Sequence, residues 1–160
     1  MKITKAISLS LFALLIWTGS TNAKQTDIPK EQVPKDVIQV LNKYLKILST
    51  SKTLEACAAE VAKISGGHML SKSGTISGDV MSFSLKKDFE NVQFYKVPAV
   101  ITRVVLVEDD YDGYGPTLFK GARYKIWIAK KDKVAGLPAP IPVIKPKKGS
   151  PKIVTTIGSL

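Results

Sequence analysis

Four acidic side chains, Glu108, Asp109, Asp110 and Asp112, crowd the stretch VEDDYDGYGPTLF, in a chain whose formal net charge is +11. Carboxylates spaced this closely suit a hard cation, so calcium is the first chemistry to test. An EF-hand loop wants alternating oxygen ligands, glycine at the sixth position and a bidentate glutamate at the twelfth. Counted from Glu108, Asp110, Asp112 and Gly113 fall correctly, but the twelfth position is Phe119. The flanks also read as strands, which removes the helix–loop–helix reading. A looser calcium site built from Asp109, Asp110 and Asp112 stays open, against the plainer reading of a wetted strand connection. A third reading makes the stretch a partner-binding loop with Tyr111 and Tyr114 as anchors, because tyrosine brings contact area and a polar tip at low entropic cost.

The remaining reactive residues are sparse. His68 is the sole histidine, which excludes a multi-histidine metal centre. Paired with Asp79 or Asp88 it would suit proton abstraction, whereas its setting in GGHML favours a loop or capping role. Cys57, the lone cysteine, sits among alanines with no base beside it and reads as a buried thiol. Lys130, Lys131 and Lys133 form one basic group, and Lys145, Lys147, Lys148 and Lys152 another. If the two loops meet at one end of a sheet, they make a site for a phosphate-rich glycolipid, an anionic polysaccharide or an acidic protein. A solvated lysine rim is the plainer reading. The patch has no interleaved aromatics, which argues against nucleic acid. Trp127 and Phe119 read as sheet packing. No cofactor motif is found.

The elements that must position these residues follow from periodicity. KDVIQVLNKYLKILS places Val37, Ile38, Val40, Leu41, Tyr44, Leu45, Ile47 and Leu48 at three- and four-residue steps, the signature of an amphipathic helix with a broad apolar face. TLEACAAEVAKISGG predicts a second helix bearing Leu54, Cys57, Ala58, Val61, Ile64 and Ser65 on one stripe, stopped at Gly66. The short link predicts an antiparallel helix pair. VMSFSLKKDFENVQF predicts a short third helix. Beyond Pro98 the period becomes two: Val100–Val107 and Tyr124–Ile128 predict strands joined as a hairpin around the acidic stretch. APIPVIKP holds prolines that confine it to a sheet edge or an extended wall. PKIVTTIGSL predicts a last strand.

At the start, Lys2 and Lys5 precede an apolar run from Ala6 to Trp17 and the small-residue segment ending at Ala23, the grammar of a secretory leader. A run of this length is short of the roughly 20 apolar residues that span a bilayer. Residues 1–23 are therefore expected to be removed, giving an exported, periplasmic or secreted chain without a transmembrane anchor. Subtracting them from 160 leaves 137 residues, and losing the two lysines lowers the charge to +9. Segment 24–34 reads as a flexible tether and 35–160 as a single domain.

Helices first and a run of antiparallel strands after, together with the texture of VIQVLNKYLKILSTSKTLEACAAEVAK, resemble the NTF2-like superfamily. The resemblance covers about Pro34 to Leu160 and rests on element order. It implies an α+β fold in which a cystatin-like curved sheet wraps its helices into a cone. It also implies a pocket used for isomerase or dehydratase chemistry in some members and for binding or dimerisation in many. No catalytic motif carries over to a position here. The expected function is thus a small exported binding domain that catalyses nothing. The alternatives are an NTF2-like enzyme with a His–carboxylate pair, or a homodimeric envelope protein with an exposed apolar sheet face. Mass spectrometry of the exported protein should find Lys24 as its first residue; a chain that still begins at Met1 would overturn the leader reading.

Overall fold

Periodic apolar residues become helix α1, Lys35–Thr50, which buries Val37, Val40, Leu41, Tyr44, Leu45 and Leu48 along one face. Pro34 at its N-cap has the fixed φ that suits a helix entrance. Helix α2, Leu54–Ala62, starts where the Thr53 side chain accepts the Ala56 N–H at 3.2 Å. It ends before Gly66 because the backbone is claimed elsewhere. Ile153 N–H donates to the Ile64 carbonyl, and Gly66 N–H donates to the Ile153 carbonyl. A π-helical turn, Val80–Leu85, leads into the short third helix α3, Lys86–Asn91.

These helices pack on a five-stranded antiparallel sheet in the order β1 (Gln25–Asp27), β2 (Ile101–Asp112), β3 (Phe119–Ile128), β4 (Ile141–Lys145) and β5 (Lys152–Ile153). The computed structural model describes residues 24–156. Residues 1–23, the expected leader, and residues 157–160 of the expected last strand lie outside the described residues. Among the described residues no helix is long and apolar enough to cross a membrane.

Two expectations need correction. Segment 24–34 is no tether. Gln25–Asp27 pairs with Val105–Val107, Val33 is 5 % exposed, and the Asp27 carboxylate holds the Arg103 guanidinium at 2.7 Å. Period-two pairing needs only alternate backbone groups, which a polar segment supplies as well as an apolar one. The proline-bearing β4 is not an edge, since β3 and β5 flank it. The Pro142 carbonyl accepts from Val154 N–H, so the missing proline N–H faces the β5 side, where the ladder is only two residues long. The cost of proline is confined to the weakest seam.

Alternation sorts the sheet faces. Tyr124, Ile126 and Ile128 turn inward to meet the α1 stripe, Tyr95, Met69, Leu85, Ile141, Val143 and Ile153, and this core fills the side of the sheet that the helices cover. On the opposite face Val105, Val107 and Ile144 are buried although they stand outside that core. Their register neighbours Lys125 and Arg123 carry long aliphatic stems, and Arg103 lies 4.8 Å over the Trp127 ring. The outer face is thus dressed with cations.

Inside the core, Tyr44 donates its hydroxyl to the Asp88 carboxylate at 2.5 Å, and both are buried. Burial, and then the Asp88 charge, push the Tyr44 hydroxyl well above its ordinary pKa of 10.0; burial raises Tyr95 and Tyr124 as well. Above pH 10 the unfolded chain releases these protons while the native protein keeps them, so stability falls as pH rises. Urea unfolding should therefore show stability constant up to about pH 9 and declining above about pH 10. Tyr44→Phe should lower stability by about 1–3 kcal/mol at neutral pH, because it takes away a buried partner of Asp88, and should flatten the alkaline decline. A variant as stable as the parent with an unchanged alkaline slope would contradict this account.

Candidate functional site

The acidic stretch is not the tip of the hairpin but the bend that leads to it. Between Val107↔Arg123 and Asp110↔Gly121 the register slips, so Glu108 and Asp109 together oppose one residue of β3. Such a bulge sharpens twist and kinks the strand. Asp109 takes φ +49°, a conformation that aspartate tolerates better than most residues. Across the ladder a Cβ on Gly121 would sit 2.1 Å from the Lys145 carbonyl oxygen, so glycine alone lets the hairpin pass this close to the end of β4. The outcome is a bent arm, residues 108–121, whose turn at Gly115–Thr117 stands beyond the sheet.

The arm is fastened at Asp112. That carboxylate, 9 % exposed, accepts the His68 backbone N–H at 2.6 Å, meets His68 Nδ1 at 2.7 Å and accepts the Arg123 guanidinium at 3.1 Å. Arg123 also pairs with Asp110 at 2.7 Å and donates to the Tyr111 carbonyl at 2.8 Å. Gly67 and Gly113 make the contact sterically feasible. Both have positive φ, and a Cβ on Gly67 would lie 2.2 Å from Asp112 Oδ1. A Cβ on Gly113 would lie 2.7 Å from the Gly67 Cα.

Gly113 N–H also approaches His68 Nδ1, at 3.1 Å. Nδ1 thus stands between the Asp112 carboxylate at 2.7 Å and the Gly113 N–H. The ring is 54 % exposed, with Tyr114 edge-on at 4.8 Å. An aspartate-held imidazole is the geometry of a general base. His68 borders open solvent. A cleft of about 490 Å³ lies elsewhere, between α2 and the loop carrying Thr75 and Ile76. The pair acts here as a clasp.

Several expected sites are redistributed. The acid that His68 meets is neither Asp79, which is exposed, nor Asp88, which is buried with Tyr44. Asp109, Asp110 and Asp112 do not converge as calcium ligands: Arg123 takes the last two, and Asp109 faces Lys147 at 3.8 Å. Among the described residues no three acidic, histidine or cysteine side chains gather around a common point. The two lysine groups do not form one patch, because successive antiparallel connections fall at opposite ends of β4. Lys130, Lys131 and Lys133 lie past the end of β3. Lys145, Lys147, Lys148 and Lys152 lie on the arm side, with Lys145 bonded to Asp36 at 2.7 Å and Lys152 to the Lys63 carbonyl at 2.7 Å. The Lys145 hydrogen bond holds the Asp36 carboxyl below its ordinary range.

Tyr111 and Tyr114 are 63 % and 75 % exposed, joined on the arm by Leu118 at 54 %. Cys57 is fully buried, and desolvation pushes its thiol up to about 11. Arg123 was not singled out from the sequence, where it reads as one more outward residue of β3. The glycines beside His68 and Asp112 were the available signal. No family model, curated protein or solved structure matches the chain.

Asp112→Asn should loosen the arm and cost about 2–4 kcal/mol, since it strips the charge that Arg123 faces in a nearly buried setting. Gly67→Ala should destabilise to a similar degree by steric conflict. In hydrogen exchange the His68 amide should lose protection in Asp112→Asn while amides of α1 keep theirs; retained protection at His68 would refute the clasp.

Proposed function

We propose that this chain is an exported binding domain that catalyses nothing and meets its partner through the bent arm. The observation that carries this reading is the pairing of a fixed backbone with unburied aromatics. Tyr111 and Tyr114 stay exposed on a segment whose conformation is held by Asp112, Arg123 and the Gly67–Gly113 contact. A contact surface ordered before binding loses little entropy on association. Lys147 and Lys148 flank the arm and favour an anionic partner, either an acidic protein or an anionic envelope component.

The competing readings have less behind them. A ligand inside the cone would need space that the core side chains occupy. An enzyme would need the His68–Asp112 pair in an enclosed cavity. A homodimer through the sheet would need an apolar outer face, where Arg103, Arg123 and Lys125 stand instead. Element order still supports the NTF2-like reading of the architecture, with the loops at the sheet end rather than the cone as the working surface.

Site-specific photo-crosslinking tests the proposal. A benzophenone side chain introduced by Tyr114→benzoylphenylalanine, irradiated in the producing cell, should yield a discrete adduct. The same probe at Glu60 on α2 should not. Equal adducts at both positions, or none at Tyr114, would reject the arm as the binding surface.

A further inference from the structure

The opposite end of the β2–β3 hairpin carries a second surface that differs from the arm in composition. Here β3 has ended and the chain runs through Lys130, Lys131, Asp132 and Lys133 to Leu137, and it is tied to the segment entering β2. Lys131 N–H donates to the Phe94 carbonyl at 2.8 Å, Lys96 N–H to the Ala129 carbonyl at 3.1 Å and Ala129 N–H to the Val100 carbonyl at 2.8 Å. Lys130 Nζ holds the Ala135 carbonyl at 2.9 Å and so pins the loop that presents Leu137. These bonds bring two kinds of side chain to one end of the molecule.

The first kind is apolar and uncovered. Leu137 is 89 % exposed, the highest among the exposed large apolar residues, and Val100, Val97 and Phe94 are 50 %, 40 % and 37 % exposed. Phe94, Val134 and Leu137 border a shared depression of about 400 Å³. The second kind is cationic. Lys96, Lys130, Lys131 and Lys133 stand against the single acid Asp132, which Lys96 meets at 3.2 Å. Lys131 and Lys133 are exposed, and Lys133 takes φ +69° at the loop's crest.

We propose that this end docks on the surface of an anionic lipid bilayer, with Leu137 and Phe94 entering the headgroup boundary while Lys131 and Lys133 meet lipid phosphates. Apolar residues ringed by lysines are what an interfacial site requires. Burial of the apolar tips supplies attachment, and the cations supply preference for anionic headgroups. A soluble acidic partner would match the lysines but gives no reason for a leucine extended beyond them. A second copy of this chain would set lysine against lysine. The surface shares no residue with the arm, so the two can fail separately.

Flotation with vesicles tests the assignment, using the processed chain from Lys24 onward, which contains every residue of the described fold. Vesicles containing 30 mol % phosphatidylglycerol in phosphatidylcholine, about the anionic fraction needed for a strong surface potential, should carry the protein to the top of the gradient. Pure phosphatidylcholine vesicles should not, and added salt should weaken binding. Leu137→Asp should reduce the partition coefficient at least about tenfold, and Lys131→Gln with Lys133→Gln roughly 20- to 30-fold. Ser49→Ala on α1 should leave it unchanged. All of these changes are at exposed positions, and circular dichroism checks that the fold persists. The proposal is overturned if anionic vesicles leave the protein at the bottom, or if Leu137→Asp binds as well as the parent. It is equally overturned if the surface instead joins two copies of the chain in solution, or binds dextran sulfate with the same dependence on both lysines and none on Leu137.

Discussion

One nearly buried carboxylate carries the conformation of the arm. Asp112 collects a guanidinium, an imidazole and a backbone N–H from two regions of the chain, and no disulfide takes part because Cys57 is the sole cysteine. Removing a charge from water is costly unless its lone pairs are satisfied, and here the His68 backbone N–H and the Arg123 guanidinium donate to them. That constraint propagates outward. To reach Asp112 the chain must turn at Gly67 and Gly113, and to bring Asp112 there β2 must bulge at Asp109. The exposed tyrosines take their places as a result.

The same logic with opposite emphasis operates in the core. Tyr44 and Asp88 satisfy each other under the helices, with apolar side chains packed around them. Beyond this packing the sheet has two ends. The two ends then differ in kind. One presents aromatics on a clasped arm; the other presents a leucine among lysines. Between them runs the long β2–β3 ladder, which holds the surfaces apart and fixes their relative orientation.

Much of this architecture was legible because it depends on periodicity. The α1 stripe at three- and four-residue steps and the alternation through Val100–Val107 and Tyr124–Ile128 are read directly from side-chain type; the strand itself starts at Ile101, and Val104, Val105 and Val107 are buried in it. What depended on long-range pairing was not. Gln25–Asp27 has no apolar signal, and its strand identity comes from the β2 edge that it completes. Pro142 argued for an edge, but a missing N–H forbids only the side it would serve. The clasp was hidden for a related reason. His68 and Asp112 are 44 residues apart, and the bulge that shifts Asp112 onto the face of Arg123 changes the parity that alternation would assign. Whether the two lysine groups meet depends on the strand between them, which sends successive connections to opposite ends of the sheet.

The burial of Cys57 has one more consequence. Its sulfur lies on the core face of α2, and its proton is held to about pH 11, so the intact molecule withholds both access and the reactive thiolate from an electrophile. Covalent capture at this position must wait for α2 to part from α1 and α3. The rate at which a dilute alkylating agent consumes the thiol therefore counts how often α2 opens, giving the chain an internal clock of that motion that requires no inserted dye.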